Sequence, residues 1–149
     1  MVLTLCVRID GALHEFPAIP DVTEDVTDII LALKEVLAKT HANEPRVLKI
    51  DVEAPETQEL RVTAKDLVGD EAVEILNPDH HIATLSKDAK LHMELTASRG
   101  RGYRPSERNR DDNLPIGTIL MDAVFSPIQK VNHKVSQARV GQRTDYDKL

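Results

Sequence analysis

One stretch constrains the fold more than any other. It is "DVTEDVTDIILALKEVLAK", residues 21–39, the clearest helical period in a chain of 149 residues. At 100° per residue, Val26, Ile29, Ile30, Leu33, Val36 and Leu37 fall on one apolar stripe. Asp21 can cap this helix, with Glu24 three residues on as in a capping box. Acids crowd the first turn and Lys34 and Lys39 come late, as the helix dipole prefers. Leu31 falls outside the stripe, close to Asp28, Lys34 and Glu35, and is therefore a candidate partner contact.

A helix with one apolar stripe must bury it against another element. The rest of the chain supplies strands. "VLTLCVRI" (2–9) alternates, placing Leu3, Leu5, Val7 and Ile9 on one face, and Asp10-Gly11 ends it in a turn. Pro17 and Pro20 are expected to hold the chain extended up to Asp21. "RVLKIDV", "LRVT", "VEIL", "HIATL" and "LHMELTA" follow, each bounded by Pro, Asp, Gly or Ser. "SKDA" between the last two suggests a hairpin with Leu91, Met93 and Leu95 on one face, and "TAKDL" suggests one helical turn. Residues 100–115 are polar and aperiodic, which predicts a long loop. "IGTILMDAVF" is expected to be buried, and "IQKVNHKVSQARV" to form a half-polar strand. The chain has no Trp, two Phe and two Tyr, so its core must be aliphatic. One principal helix with several short mixed or antiparallel strands, not in βαβ alternation, reads as α+β.

Charge is unevenly spread. Residues 1–98 hold 9 basic and 19 acidic side chains, residues 99–149 hold 10 and 6. Five of the ten arginines, Arg99, Arg101, Arg104, Arg108 and Arg110, fall within twelve residues. Such a basic island suits a nucleic acid, a charged protein partner, or the acidic body of the chain itself. Nucleic acid would call for stacking aromatics, and here only Tyr103 is at hand, with Asp111 and Asp112 closing the run. Arginine's planar fork also suits carboxylates at protein interfaces, which places a protein partner slightly ahead of RNA. A stand-alone nucleic-acid-binding domain using loop 99–110 is the alternative.

No active site is legible. Asp79, His80 and His81 are metal-ligand types, but adjacent strand residues point to opposite faces. No nucleophile elbow or phosphate-cradling glycine loop occurs. Cys6 is alone, which excludes an internal disulfide and a multi-cysteine metal knuckle. The longest apolar run, Ile29 to Leu33, is far short of the ~20 residues a membrane helix needs. With no basic n-region or cleavage site at its start, the chain is expected to be soluble and cytoplasmic, without a signal peptide.

Six strings in order carry a family resemblance: "IDGALHEF", "EDVTDIILALK", "VEILNPDHHIATL", "RGRGYRPSER", "PIGTILMDAVFSPI" and "VGQRTDYDKL". Together they resemble the N-terminal domain of the bacterial DNA-directed RNA polymerase alpha subunit, collinearly over nearly the whole chain. The resemblance implies an insert subdomain over residues 1–127 and, over 128–149, a truncated return into the dimerisation subdomain. It implies a non-catalytic piece of a nucleotidyltransferase, located in the bacterial cytoplasm or nucleoid, with the plastid stroma as the alternative. Such a subunit recruits the large beta and beta-prime subunits during assembly, pairs with a second alpha subunit, and meets DNA through a C-terminal domain outside this sequence or within the assembled enzyme. No cofactor is implied for this chain, since the active-site magnesium belongs to a large subunit. Asp28, Lys34 and Met121, with Asp122 beside it, match family positions implicated in large-subunit contact. Arg99 and Arg101 lie in the family's "RGRGY" stretch. The sequence departs from the family at Arg104 and Ser106, more often apolar or small, and at His80, commonly Leu.

Overall fold

Nine residues form the helix, α1 (Val26–Lys34), and its shortness has a tertiary cause. The computed structural model describes residues 2–11, 18–69, 71–128 and 130–149, with the side chains of residues 2 and 3 excepted. The strands are β1 (Val2–Ile9), β2 (Ala38–Thr40), β3 (Arg46–Glu53), β4 (Leu60–Thr63), β5 (Val73–Ile75), β6 (His81–Leu85) and β7 (Lys90–Arg99). Then come β8 (Tyr103–Arg104), β9 (Thr118–Leu120), β10 (Ala123–Val124), β11 (Ser136–Val140) and β12 (Arg143–Lys148).

The capping box expected at Asp21 and Glu24 does not form, because Glu24 has stronger partners elsewhere. Its carboxylate accepts the Thr84 N–H at 2.6 Å, the Thr84 hydroxyl at 3.0 Å and His81 Nε2–H at 2.8 Å. Burial pushes its pKa up, but these hydrogen bonds prevail and leave the carboxyl below the usual carboxylate value. Backbone bridges from Val22 to Leu85 and from Asp25 to Ala18 keep residues 22–25 out of the helix. Asp25 is the N-cap instead. At the other end, Asn77 donates to the Glu35 carbonyl and accepts the Leu37 N–H, while His80 Nε2–H donates to the Ala32 carbonyl. These side chains satisfy the orphan groups of the last turn and release the chain into β2. Lys39, expected in the helix, lies on that strand.

The stripe holds within the helix, while Leu37, beyond its end, is only half-buried and outside the core. Val26, Ile29 and Leu33 are fully buried, Ile30 and Val36 nearly so, and they share one aliphatic core with the strands. The main sheet runs β3-β7-β1-β2-β5, with β9 also pairing to β1, and every pairing is antiparallel. Leu91, Met93 and Leu95 line its core face as expected. The hairpin expected across "SKDA" is absent: β6 pairs with β4 in a separate two-stranded sheet, while β7 lies between β1 and β3. Side-chain alternation cannot reveal which strand becomes a neighbour. A bulge shifts the register of β1 between Thr4 and Cys6. Leu5 therefore leaves the face of Val7 and Ile9 and packs with Ala123 and Phe125 in a small second cluster.

The turn at Asp10-Gly11 is present, with Gly11 at φ +90°, and Ala64–Asp66 forms the expected helical turn, a 3₁₀ turn capped by Thr63. The expectation for Pro17 lies outside the described residues. The polar stretch 100–115 is more ordered than a loop, since it contains β8 and a 3₁₀ turn at Ser106–Asn109. Among the described residues of the strand expected over 128–140, only β11 forms, in an exposed hairpin with β12.

Candidate docking face

On a helix, residues three apart stand side by side, so Asp28, Leu31 and Lys34 make one ridge on the outer side of α1. Asp28 is exposed and Leu31 is 54% exposed, as the wheel predicted. Lys34 ends the ridge in a hydrogen-bonded ion pair with Asp122, 88 residues away in sequence. That hydrogen bond, with the lysine's charge, outweighs partial burial and holds the Asp122 carboxyl below its usual range. The pair fastens the end of the helix to the segment leading into β10.

Beyond Asp122 the surface continues onto a two-stranded ribbon. Lys34, Asp122, Ala123 and Val124 line one shallow cleft with Thr4. In the ribbon, Val124 of β10 pairs with Tyr103 of β8, and these side chains are 51% and 60% exposed. Directly opposed residues share one face with Cβ atoms ~5 Å apart, so the two form one amphipathic patch. Tyr103 stood out in the sequence as a lone aromatic. Val124 carried no signal, because its exposure follows from how β10 is turned, with Ala123 inward.

Met121 must be removed from the predicted contact residues as a surface side chain. It is 1% exposed and belongs to the main core. Its backbone is equally committed: its N–H donates to the Leu5 carbonyl at 2.8 Å, and its carbonyl accepts Asn109 Nδ2–H at 2.6 Å.

Arg99 and Arg101 are exposed. Arg99, at the end of β7, borders an open groove of about 500 Å³ floored by Leu37, Ala38 and Leu76. Arg104 donates to the Arg108 carbonyl at 3.0 Å and closes the 3₁₀ turn. Among the described residues, none of the five clustered arginines forms an ion pair with a carboxylate. The acidic body therefore supplies these arginines with no close carboxylate among the described residues. Glu107, Asp111 and Asp112 are exposed on the same segment and would repel a phosphate backbone running along it.

The two adjacent histidines part company. His80 serves the end of α1, whereas His81 bonds Glu24 and accepts Arg61 Nε–H at 3.1 Å. Among the described residues, no three His, Cys, Asp or Glu side chains converge as a metal-binding group. No helix is long and apolar enough to cross a membrane.

Against this geometry, comparison with known proteins is decisive. Residues 7–126 match the family model described as the RNA polymerase Rpb3/RpoA insert domain. The chain belongs to this insert-domain family. It is 59% identical over 143 residues to the DNA-directed RNA polymerase subunit alpha of Geobacter metallireducens, an alignment covering 96% of this chain and 41% of that protein. It is 52% identical over 143 residues to the subunits of the same name from Oceanobacillus iheyensis and Symbiobacterium thermophilum, covering 96% of this chain and 44% of each. The chain thus spans less than half the length of the curated relatives it matches. The insert-domain match takes in both α1 and the ribbon, so the ridge and the arginine segment lie within one family unit.

Proposed function

We propose that this chain is a non-catalytic assembly module of a bacterial RNA polymerase alpha subunit, working in the cytoplasm. Its helix ridge docks the large beta and beta-prime subunits. The observation that carries this reading is the ridge itself: an exposed leucine between Asp28 and the locked Lys34–Asp122 pair. Lone exposed leucines are common on soluble proteins, but this one sits on a ridge fixed at its Lys34 end. Residues 1–127 act as the insert unit, and 128–149 lead back toward the dimerisation part of the subunit, through which a second alpha subunit pairs. Catalysis and its magnesium belong to the large subunits. DNA is met through other parts of the enzyme.

Capture of beta and beta-prime from a co-expressing cell, with nuclease present, tests this. Leu31→Asp is expected to weaken capture at least tenfold while leaving thermal stability nearly unchanged, since an exposed position moves stability by less than about 0.5 kcal/mol. Asp28→Lys, which reverses a charge on the same ridge, is expected to act in the same direction. Undiminished capture by both variants would refute docking through the ridge.

A further inference from the structure

The β8–β10 ribbon carries a second exposed patch, and its frame is unusually well held. Gly100 lies flat against the Phe125 ring, so close that a Cβ there would approach ring carbons to 2.5 Å. Gly102 takes a left-handed turn at φ +67°, and its carbonyl accepts the Phe125 N–H at 2.7 Å. On the far side of β8, the buried Asn109 anchors the segment to Met121. The stretch bearing Arg99, Arg101 and Tyr103 is therefore fixed before any partner arrives, although those three side chains are exposed. A fixed frame removes much of the ordering cost of binding.

We propose that Tyr103 and Val124, with Arg101 two residues before Tyr103 on the same held segment, form a docking patch for an acidic protein surface, one presenting an apolar side chain flanked by carboxylates. This rests on the assembly reading above, with the partner surface on a large polymerase subunit. Charge complementarity selects the occupant. Among the described residues Arg99 and Arg101 have no carboxylate partner, and a guanidinium fork meets a carboxylate in two parallel hydrogen bonds. The aromatic and β-branched pair gives such a partner an apolar anchor, and Tyr and Arg are the residues that dominate interface energetics. Nucleic acid fits less well. The patch offers one aromatic rather than a series.

The test measures binding of nuclease-treated beta and beta-prime to the chain bearing Tyr103→Ala, Arg101→Glu or Leu31→Asp. Thermal unfolding checks each fold, and a fluorescent single-stranded RNA serves as a second probe. The expected result is affinity about 30-fold lower for Tyr103→Ala and at least tenfold lower for Arg101→Glu, with melting temperatures unchanged. Val124→Ser supplies an independent reading of the same patch, with loss in the same direction. Loss with Leu31→Asp but retention within twofold for all ribbon variants overturns this inference and leaves the helix docking intact. Retention by every variant overturns both. Unchanged protein capture, together with RNA binding that Arg101→Glu abolishes, overturns it in favour of nucleic acid.

Discussion

Replacing Gly100 by alanine isolates the contact that sets the arginine corner. The Gly100 backbone is compatible with an L side chain, so the cost comes from packing alone. The added methyl would stand 2.5, 2.6 and 2.8 Å from three carbons of the Phe125 ring. Ordinary contact begins at 3.4 Å, so the ring must retreat by about 0.9 Å, and overpacking of this kind costs ~1–3 kcal/mol. Phe125 is 5% exposed and packed against Leu5 and Ala123, so the retreat disturbs the whole small cluster. Urea unfolding followed by circular dichroism would read the loss. In a chain of this length each kcal/mol corresponds to ~2–4 °C of melting temperature, so a fall of roughly 2–12 °C is expected. Phe125→Leu removes the far edge of the ring and, as a hydrophobic swap of similar size, costs less than ~1.5 kcal/mol. In that background Gly100→Ala is expected to cost at least ~0.5 kcal/mol less than in the parent, the coupling that residues in contact show. Additive single and double variants would refute the argument, as would a Gly100→Ala chain as stable as the parent.

Two further outcomes follow from the same contacts. Met121→Ala is expected to destabilise the chain by ~2–5 kcal/mol in denaturant titrations, as for other fully buried side chains, in contrast with the near-neutral Leu31→Asp. Glu24 and Asp122 both have lowered carboxyl pKa values, so each contributes stability that is whole above the ordinary carboxylate range, ~4, and is lost as pH falls through the folded value. Stability measured from pH 6 downward should therefore decline, and Glu24→Gln, which cannot ionise, should flatten part of that slope; an unchanged slope would refute the assignment.

Local patterning carries far in this chain. The apolar stripe of α1, the exposure of Leu31, the aliphatic core, the strand segments and the 3₁₀ turn at Ala64 all follow from residue order, because burial on one face imposes a period on whatever folds. The ordered strings from Ile9 to Leu149 also carried the family, since sequence alone is enough to detect a resemblance. What residue order cannot express is competition between a local bond and a distant one. Glu24 looks like half of a capping box until Thr84 and His81 arrive, 60 and 57 residues away, and take its carboxylate. "SKDA" looks like a hairpin turn until β4 and β1 claim the strands on either side of it. Lys34 with Asp122, and Tyr103 with Val124, become neighbours only when α1, β8 and β10 converge at one edge of the core. Met121 shows the same in reverse, a contact residue by resemblance that the bend between β9 and β10 turns inward. Sequence determined most of the segments that would fold and the buried faces of α1 and β7, because those are properties of neighbouring residues. Tertiary structure decided which exposed groups stand together, because cross-chain hydrogen bonds and packing act over distances that no local period encodes.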